Sequence, residues 1–268
     1  MKRRIVFILL LVGLAFWAGR NRDAVAETET RAPVESGREE TRQTFKMSPG
    51  ARVEVRGING PVTIETAETD TAEVHIVRTA KNMADLERHK ILIEQTPESL
   101  VVRAENPKRG FWDRVFELGS GTRQQVTLRI PRKSEVKAQG VNGSLKVGEV
   151  EGGVNASGIN GRVEVAQATG RAELSGINGG VVVGLSRVEG DGVRVSGING
   201  GVVFNVGGEV NADVNVNGHN GGLSVDLPGM VIEEGMKHSR MRARIGAGGA
   251  PVTINGVNGS LSFRAAAN

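Results

Sequence analysis

The stretch SGINGRVEV (Ser157–Val165) is nearly restated as SGINGGVVV (Ser175–Val183) and again as SGINGGVVF (Ser196–Phe204). Its Gly-x-Asn-Gly core recurs seven times, and reading it as a ligand loop or as a bend decides the fold. The copies are Gly57, Asn59 and Gly60; Gly140, Asn142 and Gly143; Gly158, Asn160 and Gly161; Gly176, Asn178 and Gly179; Gly197, Asn199 and Gly200; Gly218, Asn220 and Gly221; and Gly256, Asn258 and Gly259. From Gly140 onward they begin 18 or 21 residues apart, with a last gap of 38. Self-similarity at such a period marks stacked supersecondary units.

Two and four residues after every copy stand apolar residues, as in Val163/Val165, Val202/Phe204 and Leu261/Phe263. Four and two residues before it stand others, as in Val154/Ala156, Val193/Val195 and Val252/Ile254. Period-two alternation makes each unit two half-buried strands joined at the motif. Two architectures fit. In a hairpin, Asn-Gly would form a type I′ turn. In a parallel β-solenoid it would be a corner, with equivalent strands stacked about 4.8 Å apart. The likeness of successive units favours the solenoid, where like packs on like, and Asn142, Asn160, Asn178, Asn199 and Asn220 would then form a side-chain ladder. The expected fold is therefore all-β: a parallel β-solenoid or β-helix of 18–21-residue two-strand coils with Gly-x-Asn-Gly corners, preceded by a β-rich capping region with a short helix.

The N-terminus reads as an export signal. Lys2, Arg3 and Arg4 precede the apolar run Ile5–Ala18, and Ala24 and Ala26 stand at the −3 and −1 positions of a cleavage site before Glu27. Fourteen helical residues reach only about 21 Å, short of a ~30 Å hydrocarbon core. The rival reading is an uncleaved anchor, the one route by which this chain would touch a membrane. Residues 1–26 hold five of the 34 basic residues and one of the 30 acidic ones, so the rest of the chain has 29 of each. The basic balance belongs to the signal, which leaves no case for nucleic acid. The chain has no cysteine, which excludes a lipobox and disulfides alike.

Residues 27–43 are charged and nearly devoid of large apolar residues, and read as a disordered tether. Residues 44–131 form an N-terminal β-rich cap, with a helix over Asn82–Lys90 that Asn82 caps, and 132–268 form the repeat solenoid. Between Gly218 and Gly256 a degenerate unit is expected, with Pro228–Ser239 as a loop thrown out from the stack. Phe263 lies near the end of the sequence, so its coil is expected to be the last and uncapped, a place for end-to-end self-association.

These features resemble the bacterial "putative adhesin" domains of unknown function, including the head domain named for its Gly-Ile-Asn motif. The resemblance rests on the GING and GVNG corners, the Val-x-Val strands and the strand VTLRIP (Val126–Pro131), and covers roughly residues 44–264. It implies an exported β-solenoid with no assigned catalytic residues.

Candidate chemistry is sparse. His75, His89, His219 and His238 lack metal-ligand spacing. His219, which replaces the Ile or Val of the other motifs, reads as an exposed corner side chain. No helix follows any motif, as a phosphate loop requires, and the motif lacks the carboxylate of calcium repeats. Gly and Asn instead tolerate the positive φ of a tight bend. No catalytic, metal or cofactor residue is nominated. Three surface features could serve binding: the stripe Arg240, Arg242 and Arg244; the outward neighbours Val182 and Val203; and Phe111, Trp112 and Phe116, which either cover the stack or dock a partner. The expected function is an exported, non-catalytic, adhesin-like protein meeting a protein or glycan at the cell envelope, whether in the periplasm, on the outer surface or secreted. The alternatives are a carbohydrate-active β-helix enzyme, or an envelope-sensing module working through a partner.

Overall fold

Val154 and Ala156 face one side of an extended chain and Asn155 and Ser157 the other. That alternation, repeated along the chain, builds two large sheets that bury their apolar sides in one shared core. The computed structural model describes residues 37–105, 122–169, 171–237 and 239–266. Phe111, Trp112 and Phe116 lie outside the described residues.

The first sheet runs, in hydrogen-bonded order, β1 (Arg38–Lys46), β4 (Thr71–Thr79), β7 (Arg123–Pro131), β3 (Val62–Ala67), β9 (Leu145–Val150), β11 (Val163–Ala168), β13 (Val181–Leu185), β15 (Val202–Val206), β21 (Leu261–Ala265) and β17 (Leu223–Asp226). The second runs β18 (Met230–Lys237), β19 (Arg240–Ile245), β16 (Ala212–Asn220), β20 (Ala250–Asn258), β14 (Val193–Asn199), β12 (Ala172–Asn178), β10 (Val154–Ile159), β8 (Glu135–Gln139), β2 (Arg52–Arg56), β6 (Ser99–Ala104) and β5 (Ile91–Thr96). The single helix among the described residues is α1 (Met83–Arg88). Strands flanking a motif always lie in opposite sheets, so no motif closes a hairpin. Equivalent strands pair in parallel and in register: Val154 beside Ala172 beside Val193 in one sheet, Val163 beside Val181 beside Val202 in the other. The apolar residues two and four positions from the motifs are buried between the sheets, except Leu223 and Val225 of β17, which are half-buried. Phe204 and Phe263 stack there with ring centroids 5.1 Å apart.

Spatial order departs from chain order at both ends. The pair β2–β3 comes early in the sequence but sits between β6–β7 and β8–β9. The pair β20–β21 sits between β14–β15 and β16–β17. The strand bearing Phe263 is therefore interior, not the uncapped end expected from sequence. Antiparallel strands close three of the four sheet ends: β4 and β1 beside β7, β5 beside β6, and β19 and β18 beside β16; the fourth, β17, pairs only with β21, in parallel.

Three further expectations change. The tether expected up to Gln43 gives way to β1 from Arg38; its charges hide a strand because Glu39 is buried against Arg78. Pro228–Ser239 is not a loop: Met230–Lys237 is a strand, antiparallel to β19. The expected degenerate unit is thus a hairpin arm, since Met241, Ala243 and Ile245 are buried but pair antiparallel with β16. Residues 44–131 pack directly on the repeats, β3 pairing with β9 and β2 with β8.

Helix α1 forms as its cap foretells, with the Asn82 side chain accepting from the Asp85 amide at 2.9 Å. Leu86 is fully buried. The Arg78 guanidinium donates to the carbonyls of Leu86 (2.8 Å) and His89 (2.9 Å) and pairs with the Glu39 carboxylate. One buried cation thus satisfies the open end of the helix and balances the charge on β1.

A candidate binding edge

The chain passes from the second sheet to the first at each Gly-x-Asn-Gly and returns through the turns that follow the first-sheet strands, except that β3 turns into β4, whose far end leads through α1 to β5 on the motif side. The molecule therefore has a motif edge and a return edge, and their chemistry differs.

The bend is fixed by close packing. In the copy at 197–200, Gly197 has φ 61 and Gly200 has φ 153, and a Cβ on Gly200 would collide with the Gly179 carbonyl of the neighbouring copy. The second residue of the motif points inward: Ile58, Val141, Ile159, Ile177, Ile198 and Val257 are all buried. His219 takes the same place and is 4% exposed, its Nε2 lying 3.0 Å from the Gly259 carbonyl oxygen. The exposed corner histidine expected from sequence is thus a buried one, because the position belongs to the core.

The asparagines point outward and form the ladder. Asn59 Nδ2 donates to the Thr122 carbonyl (2.8 Å), and Asn142 donates to Asn59 (2.9 Å). The series continues from Asn160 to Asn142 (3.0 Å), Asn178 to Asn160 (3.2 Å) and Asn199 to Asn178 (3.1 Å). Asn220 donates not to Asn199 but to Asn258 (3.3 Å), as the insertion of β20 dictates.

Beside this ladder runs a second row on the outer face of the second sheet. In register it reads Arg103, Arg56, Gln139, Ser157, Ser175, Ser196, Asn255, Asn217 and Arg240. Nine strands at about 4.8 Å spacing carry it roughly 38 Å. On the far side of the ladder stand Pro61, Ser144, Arg162, Gly180, Gly201, Gly222 and Ser260. In all seven copies the residue before the motif, its asparagine and the residue after it bear no carboxylate. The Ser157, Ser175 and Ser196 hydroxyls make no side-chain hydrogen bond with described residues, and exposed Arg162 makes no ion pair with one.

The return edge is the reverse. Its turns hold Glu68, Asp70, Glu151, Glu189, Asp191 and Glu209. Its arginines are largely matched: Arg132 with Glu149 (2.7 Å) and Glu68 (3.1 Å), Arg187 with Glu189 (3.4 Å) and Arg171 with Asp191 (3.7 Å).

The stripe Arg240, Arg242 and Arg244 is exposed on β19 as expected, but two of its members are matched, Arg244 by Glu233 (3.3 Å) and Arg242 by Glu234 (4.0 Å). Arg240 is the one that extends the carboxylate-free row. Val182 and Val203 are in-register neighbours, half-buried on the outer face of the first sheet. On the second sheet several outward charges pair with one another, as in Lys137 with Glu54 (3.4 Å) and Arg103 with Glu94 (2.7 Å). Among the described residues no group of three or more His, Asp or Glu is placed to hold a metal ion, and no helix is long and apolar enough to cross a membrane. The serine row and Arg162 were not singled out from sequence. Their signal, the lack of acids on both sides of every motif, emerges only when the seven copies are aligned on one edge.

No family model matches this chain, and no curated protein matches it. Solved structures do. A "putative cell adhesion protein" of Clostridium sporogenes is 14% identical, with a TM-score of 0.44, over 84% of this chain and 99% of that one. A "putative adhesin" of Parabacteroides merdae is 12% identical with a TM-score of 0.29, over 84% and 95%. Another, of Bacteroides fragilis, is 9% identical with a TM-score of 0.30, over 84% and 97%. Likenesses this weak carry no argument about function.

Proposed function

We propose that this protein is an exported, non-catalytic β-solenoid that turns at Gly-x-Asn-Gly corners and uses its motif edge as an adhesin-like surface. The parallel, in-register stacking and the asparagine ladder support the solenoid reading. The ligand class best matched to the edge is a linear acidic polysaccharide. The observation that carries this is the carboxylate-free band: a row about 38 Å long with free serine hydroxyls, bordered by Arg162 and ending on Arg240. Along the seven motif copies a polyanion meets no carboxylate at the flanking positions, although Glu94 pairs with Arg103 at one end of the row, and many weak contacts at a fixed repeat add up along one polymer. Single-stranded nucleic acid fits poorly, because such binding relies on aromatic stacking platforms and the band contains no aromatic residue.

The test is a panel of immobilised glycans, neutral and acidic, probed with the full chain at two salt concentrations. Uronate- or sulfate-bearing polymers should retain the protein, and binding should fall as salt screens the arginines. Equal retention by neutral polymers, or none by acidic ones, overturns the reading.

A further inference from the structure

The strand pair β20–β21 follows the β18–β19 hairpin in the chain but lies between two pairs that precede that hairpin. It is held on both sides: β20 pairs in parallel with β14 and β16, and β21 with β15 and β17. Val252, Ile254, Leu261 and Phe263 are fully buried there. The pair is tethered through the turn at residues 246–249, which includes Gly246 (φ 58) and Gly248 (φ 81) and is mostly exposed. Two side chains at the start of β16 steady this turn: Asn211 Oδ1 accepts from the Ala247 amide at 2.7 Å and Asp213 Oδ2 from the Gly249 amide at 3.3 Å.

We infer that the gap between β14–β15 and β16–β17 is an acceptor site for the β20–β21 pair of a second copy of this chain, reached when the turn at 246–249 opens. The exchanged pair remakes every contact that it makes within its own chain, so only hinge conformation and concentration set the balance. An empty gap spans two strand spacings, roughly 9.6 Å, and bares Phe204. The competing closure drops β16–β17 directly onto β14–β15, since Gly197 and Gly218 stand 21 residues apart, as do Gly176 and Gly197. That closure sets Val225 against Phe204 where Phe263 now stacks, leaving a void in a close-packed core. Refilling by a second copy leaves none.

The chain has no cysteine, so substituted ones are its only thiols. Ser196 and Asn255 are in-register neighbours on the outer face of β14 and β20, within disulfide reach. Ser196→Cys and Asn255→Cys chains are unfolded together, refolded as a mixture and oxidised. The inference expects a disulfide-linked heterodimer whose yield rises with protein concentration. It also expects several-fold less when the two chains are refolded apart and then mixed. The double variant Ser196→Cys/Asn255→Cys should close within one chain at low concentration. The inference is overturned if the double variant closes but the mixture gives no heterodimer at any concentration. Failure of the double variant to close overturns it too, by removing β20 from the side of β14. So does closure of Ser196→Cys/Asn217→Cys within one chain, the mark of direct stacking.

Discussion

Gly200 and Asn178 show how single residues set the repeat. A methyl group on Gly200 meets the carbonyl of Gly179, a residue whose amide is tied to the Asn199 carbonyl at 3.0 Å. Gly190 has a similarly unusual backbone (φ 57) but open space around it. Gly200→Ala should therefore lower stability by about 2–4 kcal/mol, and Gly190→Ala by only about 1 kcal/mol; denaturant midpoints of the two variants check this. Asn178 both donates to Asn160 and accepts from Asn199, so Asn178→Ala should cost about 1–2 kcal/mol in the same measurement. The ladder was legible from sequence because identical side chains at a fixed period can only meet as neighbours. His219 was not, because a polar residue at a core position looks the same in sequence as an exposed one. Only the burial of the six residues equivalent to it gives it away.

Among the elements, those with apolar alternation were readable and those whose inward residues are charged or irregular were not. The flanking strands of all seven motifs follow from their valines. Strand β1 was missed because its inward positions include Glu39, tolerable only through Arg78 on the neighbouring strand, a long-range partner that no local pattern reveals. Strand β18 was missed because bulges break its register between Ile232 and Lys237. The outer face of β1 carries a test of its own. Glu40 accepts from Arg42 (2.9 Å) and lies 2.9 Å from His75 Nε2 on β4. The Arg42 hydrogen bond first, and His75 next, hold its carboxyl below the ordinary carboxylate range. A depressed folded-state value means stabilisation that is complete above the unfolded value, about 4.3, and is lost as pH falls through the folded one. Glu40→Gln should thus be less stable than wild type at neutral pH, and the gap should close on acidification. Thermal unfolding of both proteins between pH 3 and pH 7, a range spanning the ordinary glutamate value of about 4.3, reads it directly.

At the scale of the whole molecule, topology and charge distribution are the two properties that sequence concealed. Repetition told which strands are alike, but not their order in space, because β20 and β16 suit the same neighbour equally well. The chain exploits that ambiguity by burying β2–β3 and β20–β21 and closing every sheet end but that at β17 with antiparallel strands. Those strands carry charged residues, such as Arg38, Glu40 and Arg42 on β1 and Glu233 and Glu234 on β18, a known guard against edge-to-edge pairing. The 29 acids and 29 bases left after residue 26 give no hint of a binding surface until the fold sorts them by edge, with carboxylates on the return turns and none at the positions flanking the seven motif copies. A matched pair of charge reversals tests that sorting most directly. Arg162 on the motif edge and Lys133 on the return edge are both exposed, and Arg162→Glu and Lys133→Glu change net charge by the same amount. Titration of an acidic polysaccharide into each should show binding weakened about tenfold by Arg162→Glu, near 1.4 kcal/mol, and left within about twofold of wild type by Lys133→Glu. Equal effects from the two variants, or a larger loss from Lys133→Glu, would contradict a binding surface on the motif edge.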